Sequence, residues 1–180
     1  MNGSVIRRVV GYVLTLEALL LLLPCIVALY YNEQEGYAYL ASSAICLVLG
    51  GAMSLKKPKS NVFYLKEGCV ATALSWIVLS VFGAIPFVLT GEIPHFVDAL
   101  FETVSGFTTT GASILSDVET LANCTLFWRS FTHWIGGMGV LVFILAMIPL
   151  SGGSNMNLMR AESPGPSVSK IVPKIRKTAA

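Results

Sequence analysis

Apolar runs of about 20 residues alternate along the chain with short polar breaks, a pattern that predicts four membrane-crossing helices at about Val9–Ala28, Tyr37–Leu55, Gly68–Leu89 and Phe127–Leu150. The first carries Glu17 near its middle and Pro24 near its outer end. Proline is tolerated there because neighbouring helices can satisfy the freed carbonyl, whereas a carboxyl at that depth must face protein or hold a proton. Two roles stand open for Glu17: a hydrogen bond between helices, or an ion or proton function. The turn Asn32-Glu33-Gln34-Glu35-Gly36 folds the first two spans into a hairpin, and tyrosines at 30, 31, 37 and 39 fit an interfacial aromatic belt. Lys56-Lys57-Pro58-Lys59-Ser60, followed by Lys66, makes a basic connector to the third span, where Gly83 and Pro86 predict a kink or close packing.

Between the third and fourth spans the pattern changes. Pro94 to Phe107 reads as a short helix, with Pro94 at its first position and Phe96, Ala99, Leu100, Thr103, Val104 and Phe107 on one stripe. Roughly 13 residues at about 1.5 Å each give about 20 Å, too short for a hydrocarbon core of about 30 Å. Ser105-Gly106-Phe107-Thr108-Thr109-Thr110-Gly111-Ala112-Ser113 follows where an apolar span would continue. Irregular backbone at membrane depth is tolerated only when buried in protein or lining a watery cavity, so this stretch predicts a re-entrant loop. Ser116 to Thr125, with Asp117, Glu119 and Asn123, marks the return to water. The fourth span contains Gly136-Gly137-Met138-Gly139, small residues that admit another backbone. From Ser151 the chain is polar and basic.

Charge tests this layout. Eleven of the 12 basic residues lie before the first span, in the second connector or in the tail, and Arg129 stands apart. All eleven share one side if the spans alternate and the loop dips in and returns, and the positive-inside rule makes that side cytoplasmic, both termini included. Glu33, Glu35, Glu92, Asp117 and Glu119 then face outward. The composition, 54% apolar and 12% charged, agrees with a polytopic membrane protein and offers no footprint for nucleic acid. Cys25, Cys46, Cys69 and Cys124 form no metal-ligand spacing with His95 or His133 and read as small packing residues; no cofactor is called for. Arg7-Arg8 before an apolar run imitates a signal peptide, but the run is long and lacks a cleavage site, so it reads as a retained helix.

The chemistry suited to three threonines and a glycine is cation coordination. A permeating alkali cation must exchange hydration oxygens for protein oxygens of similar strength, and a ring of backbone carbonyls with assisting hydroxyls does this. Glycine at 111 permits the required backbone angles and leaves a narrow passage clear. The negative C-terminal end of the short helix, near Gly106, would favour a poorly hydrated cation. The alternative is a plain polar turn between helices. Asp98 suits a helix start; Glu102 lies deeper and would repel anions or brace the loop from behind. Arg129 would pair with an acid of the loop or snorkel. An enzyme using Glu17, Glu102 or His133 would need these groups to converge, and no motif joins them, so no catalytic residue is assigned.

Phe101-Glu102-x-x-Ser105-Gly106-Phe107-Thr108-Thr109-Thr110-Gly111-Ala112, then Trp128-Arg129-Ser130 and His133-Trp134-Ile135-Gly136-Gly137-Met138-Gly139, resemble the Trk/Ktr/HKT superfamily of potassium transporters, in particular the N-terminal portion of the bacterial TrkH-type subunit. The resemblance implies an all-α polytopic membrane protein with two N-terminal transmembrane helices (1–60 with the basic connector). One helix–pore loop–helix repeat of a potassium-channel-like fold would follow (61–150), then a cytoplasmic connector (151–180) toward a second repeat. It implies potassium uptake across the plasma membrane through a pore of four repeats, with potassium held at Thr109, Thr110 and Gly111 and filter carbonyls from Thr108 to Gly111. Glycine at 111 is the potassium-type choice. Glu102, Gly106, Ala112, Arg129, Gly136, Gly137 and Gly139 would support the filter or its packing. A homodimer and a cytosolic nucleotide-binding regulatory ring are the implied partners. One repeat supplies a quarter of such a ring, and the chain stops where another span would begin, so it is expected to be part of a longer pore. A non-transporting fragment that pairs with a full-length subunit is the other expectation.

Overall fold

The computed structural model describes residues 3–55 and 65–139, and every regular element among them is an α-helix. These are α1 (Gly3–Leu20), α2 (Leu22–Tyr31), α3 (Gly36–Leu55), α4 (Leu65–Thr90), α5 (Phe96–Phe107) and α6 (Asn123–Met138). Three stretches are long and apolar enough to cross a membrane: Gly3–Tyr31, Gly36–Leu55 and Gly68–Thr90. The basic connector at 56–64, the second half of the expected fourth span and the whole tail lie outside the described residues, as do the domain boundaries placed there.

The first span is longer than its apolar run suggests, and it is interrupted at Leu21. Pro24 has no N–H to offer the Leu20 carbonyl, so the ladder breaks one turn before it. Leu21 keeps near-helical angles and its N–H still reaches the Glu17 carbonyl at 2.9 Å, so the two pieces continue in one direction. Asn32 ends α2 in the left-handed conformation that asparagine tolerates, and α3 returns antiparallel. In α4, Pro86 lies inside the helix.

Helix α1 packs against both α3 and α4, and α4 in turn packs on α5; α5 packs on α6, and α2 reaches both α3 and α6. Gly11 and Gly50 let the α1 and α3 backbones touch, and Ser43 Oγ donates to the Ala18 carbonyl at 2.7 Å across that contact. A shared core of Leu14, Leu79, Phe87, Phe107 and Trp128 joins the hairpin to the later helices. Gly83 sits where α4 meets α1 and α5: a Cβ there would press on Thr103, Glu17 and Phe107. Trp128 is fully buried, and its indole N–H donates to the Gly83 carbonyl at 3.0 Å. Cys46 and Cys124 are buried packing residues as expected, but Cys69 is exposed. The outward faces carry Leu29, Leu40, Val48, Ile77 and Leu89 in the open, which is the dress of helices solvated by lipid.

Candidate functional site

Helix α5 has 12 residues, about 18 Å of rise, and begins at Phe96 rather than Pro94. His95 has extended backbone angles and stands as the residue before the first turn, so Pro94 lies outside the helix. Asp98 lies in the first turn, where its charge complements the helix N-terminus. One face, Ala99, Glu102, Thr103, Gly106 and Phe107, is buried.

The end of α5 is closed in a specific way. The Thr109 N–H donates to the Gly106 carbonyl and the Thr110 N–H to the Ser105 carbonyl, both at 2.9 Å. This is the paired-bond C-terminal motif in which the residue after the cap is left-handed, a place usually given to glycine. Here Thr109 occupies it with φ +56°. A β-branched side chain in that region is strained, by about 1–2 kcal/mol. Thr108 Oγ1 donates back to the Val104 carbonyl at 2.8 Å and also lies 2.8 Å from Thr110 Oγ1. Gly111 follows with φ +74°, and nothing stands within 4 Å of where its Cβ would be. Thr108 to Ile114 form a continuous exposed run, Gly111 and Ala112 included.

Behind this run stands Glu102, only 1% exposed. Its Oε1 accepts from Ser113 Oγ at 2.6 Å and from the Ile114 N–H at 2.7 Å, while Oε2 accepts from Arg129 Nε at 3.0 Å. This carboxylate thus ties the segment leaving the threonines to α6. The Arg129 side chain is only 16% exposed and is engaged in that pair.

Helix α6 meets α5 backbone to backbone. A Cβ on Gly136 would overlap the Phe107 carbonyl, and one on Gly106 would overlap Thr132 Oγ1. Gly137 is looser, with Thr109 Cγ2 at 3.9 Å from its would-be Cβ, and Gly139 ends the helix at φ +72°. His133 Nδ1 lies 3.0 Å from the Arg129 carbonyl, an ordinary one-turn contact. Glu17 is buried beside a small cavity lined by Val13, Leu79, Phe107, Trp128 and Ile135, with no hydrogen bond to either carboxylate oxygen. No hydrogen bond joins Glu17, Glu102 and His133.

The sequence reading missed how α6 begins. The sequence predicts a fourth span from about Phe127, with Asn123 in the polar segment before it, and gives Glu33 and Glu92 no role beyond facing outward. Instead the helix starts at Asn123, preceded by Ala122, which has no side chain able to cap it. The caps come from elsewhere: Glu92 accepts the Ala122 N–H at 2.6 Å, and Glu33 accepts from the Asn123 and Cys124 N–H groups at 2.8 and 3.0 Å and from the Asn123 amide at 2.8 Å. Partial burial pushes the Glu33 carboxyl up, but these hydrogen bonds outweigh it and leave the group below the ordinary glutamate range. A helix opening on alanine was the one available hint.

The architecture defines a polytopic helical membrane protein in which a short helix and a glycine-containing loop lie between two longer helices, α4 and α6. Residues 35–180 match the model of the TrkH family, described as a cation transport protein, and the chain belongs to that family. The Trk system potassium uptake protein TrkG of Escherichia coli K12 is 36% identical over 185 residues, which cover 99% of this chain and 38% of the relative. TrkH of Vibrio parahaemolyticus is 37% identical over 97% of this chain and 36% of its own length. The crystal structure of the potassium transporter TrkH from Vibrio parahaemolyticus superposes with a TM-score of 0.73 at 30% identity, covering 90% of this chain and 36% of that one. The chain thus spans under two fifths of the length of these relatives.

Proposed function

We propose that this chain takes part in potassium uptake, supplying about a quarter of a carbonyl-lined selectivity filter from Thr108, Thr109, Thr110 and Gly111. The observation that carries the reading is an exposed Thr-Thr-Thr-Gly run with left-handed backbone at Thr109 and Gly111, braced from behind by Glu102. Exposure of these polar groups is uneconomical for a membrane segment unless further protein completes a watery path around them. The names of the relatives, potassium uptake proteins, agree. In this reading α5 is a pore helix that enters the bilayer and stops, and the loop returns to the outer side where α6 begins. Carbonyls and threonine hydroxyls replace the hydration shell of the ion, with potassium at Thr109, Thr110 and Gly111. The site lies in the plasma membrane with the basic segments on the cytoplasmic side. The family resemblance adds a homodimer and a cytosolic nucleotide-binding regulatory ring as partners, to be sought by mass measurement and co-purification.

The test is rubidium-tracer uptake into proteoliposomes of the native-length gene product, with potassium and sodium as competitors. Gly111→Asp, which sets a carboxylate in the passage, is expected to abolish the flux, and Gly111→Ser to weaken preference for potassium over sodium. Transport unchanged in both variants would overturn the filter assignment.

A further inference from the structure

Hydroxyl side chains inside these helices mostly turn back on their own helix. Ser42, Ser75, Ser80 and Thr103 each donate to the carbonyl four residues earlier, at 2.7–2.9 Å, which satisfies the hydroxyl and does nothing more. Ser105 departs from this habit. Its Oγ donates forward to the carbonyl of Ala112 at 2.6 Å, across the whole threonine run. The same residue's main-chain carbonyl accepts the Thr110 N–H at 2.9 Å. One serine, itself 5% exposed, therefore grips the chain at residue 110 through its backbone and at residue 112 through its side chain. Gly111 lies between the two grips and has no packing of its own: φ is +74° and the space where a side chain would sit is open. Glycine has the widest choice of backbone angles, so the orientation of its two flanking peptide planes is set by whatever holds its neighbours.

We infer that Ser105 is a positioning residue for ion discrimination, its hydroxyl fixing the Ala112 carbonyl on α5 so that the coordinating ring ends at Gly111 with its backbone held still. This rests on reading Thr108–Gly111 as the filter. An oxygen engaged by a hydroxyl at 2.6 Å is turned toward the helix, which takes it out of the set that meets the ion. The second tie, from Glu102 to Ser113 and Ile114, holds the chain one step further out and does not touch residue 112. Loss of Ser105 would thus free the segment at Gly111 while leaving the loop attached.

The experiment uses the native-length gene product in proteoliposomes and reads rubidium uptake with sodium and potassium as competitors, alongside the melting temperature of each variant in detergent. Ser105→Ala is expected to lower potassium-over-sodium discrimination roughly fivefold, the worth of one hydrogen bond, with the melting temperature lowered by only about 2–4 °C. Ser105→Thr, which keeps the hydroxyl, should recover most of the discrimination. Should Ser105→Ala fail to accumulate, Ser105→Cys retains size with a weaker donor and should fall between wild type and complete loss. Wild-type discrimination in Ser105→Ala or Ser105→Cys, or an equal loss in Ser105→Thr, overturns the inference. Gly111→Ser is run beside them: if it alters discrimination while the Ser105 variants do not, only the role of Ser105 falls. If it too is without effect, or wild type carries no potassium-competed flux, the filter reading fails and this inference with it.

Discussion

Arg129 donates from Nε to Oε2 of Glu102 at 3.0 Å, and through that one carboxylate α6 holds the backbone at Ile114. Removing the guanidinium leaves a buried carboxylate with a vacant face, which typically costs several kcal/mol. Arg129→Ala is therefore expected to destabilise the protein by about 3 kcal/mol and to lower flux. Arg129→Lys should recover only part, because a point charge on a flexible stem does not reproduce the planar donor. Thermal unfolding of the detergent-purified native-length protein checks both. A variant as stable as wild type would show that the pair carries no net energy.

Gly136 and Gly137 are adjacent and should behave oppositely. A methyl at 136 would overlap the Phe107 carbonyl, backbone that cannot step aside, whereas the nearest atom to a methyl at 137 is 3.9 Å away. Gly136→Ala is expected to cut folded yield severely, with Gly137→Ala near wild type. Size-exclusion profiles of the two variants make the comparison, and equal behaviour would contradict the close crossing of α5 and α6.

The Glu33 contacts give stability a pH dependence on the acid side. A carboxyl whose folded-state pKa lies below its ordinary value of 4.5 stabilises the fold above that value, and the contribution is lost as pH falls through the lowered pKa. Wild type should thus lose more melting temperature than Glu33→Gln when pH is lowered from neutrality to below about 4, and the two should respond alike at neutral to mildly alkaline pH. Parallel curves across the acid range would mean that the helix end is held by other groups.

Thr109 occupies a left-handed position that glycine fills without strain. Thr109→Gly is expected to leave stability unchanged or raise it by up to about 1 kcal/mol, relief of strain being partly offset by the greater freedom of glycine in the unfolded chain. Potassium-over-sodium discrimination should fall in the same variant, since a hydroxyl leaves the run and its backbone loosens. A gain in both properties would assign the strain no functional purpose.

The sequence made the first three spans legible because runs such as Tyr37–Leu55 carry their own signal in length and apolarity. The Thr/Gly run was equally legible, since threonines and glycine have no apolar reason to interrupt a membrane segment. What could not be read involved partners far apart or backbone groups with no letter of their own. Glu33 binds N–H groups of residues about 90 positions later, and any residue there would have offered the same N–H. Pro24 was visible, but the break fell at Leu21, because proline disturbs the turn before it. Pro94 suited a first helical position by rule, yet His95 took extended angles and moved the start to Phe96. The glycines of α6 announced a close approach, though only the structure shows that Gly136 meets Phe107 while Gly137 keeps clear.

The caps on α6 also tie its start to earlier parts of the chain. As the chain is made, Glu33 emerges and its hairpin can close well before Asn123 and Cys124 exist to bind it. When α6 arrives, its uncapped N-terminus and the waiting carboxylates of Glu33 and Glu92 satisfy one another. The start of α6 is thus completed by the turn between α2 and α3 and by the segment after α4, and an α6 separated from them would leave its first N–H groups to water.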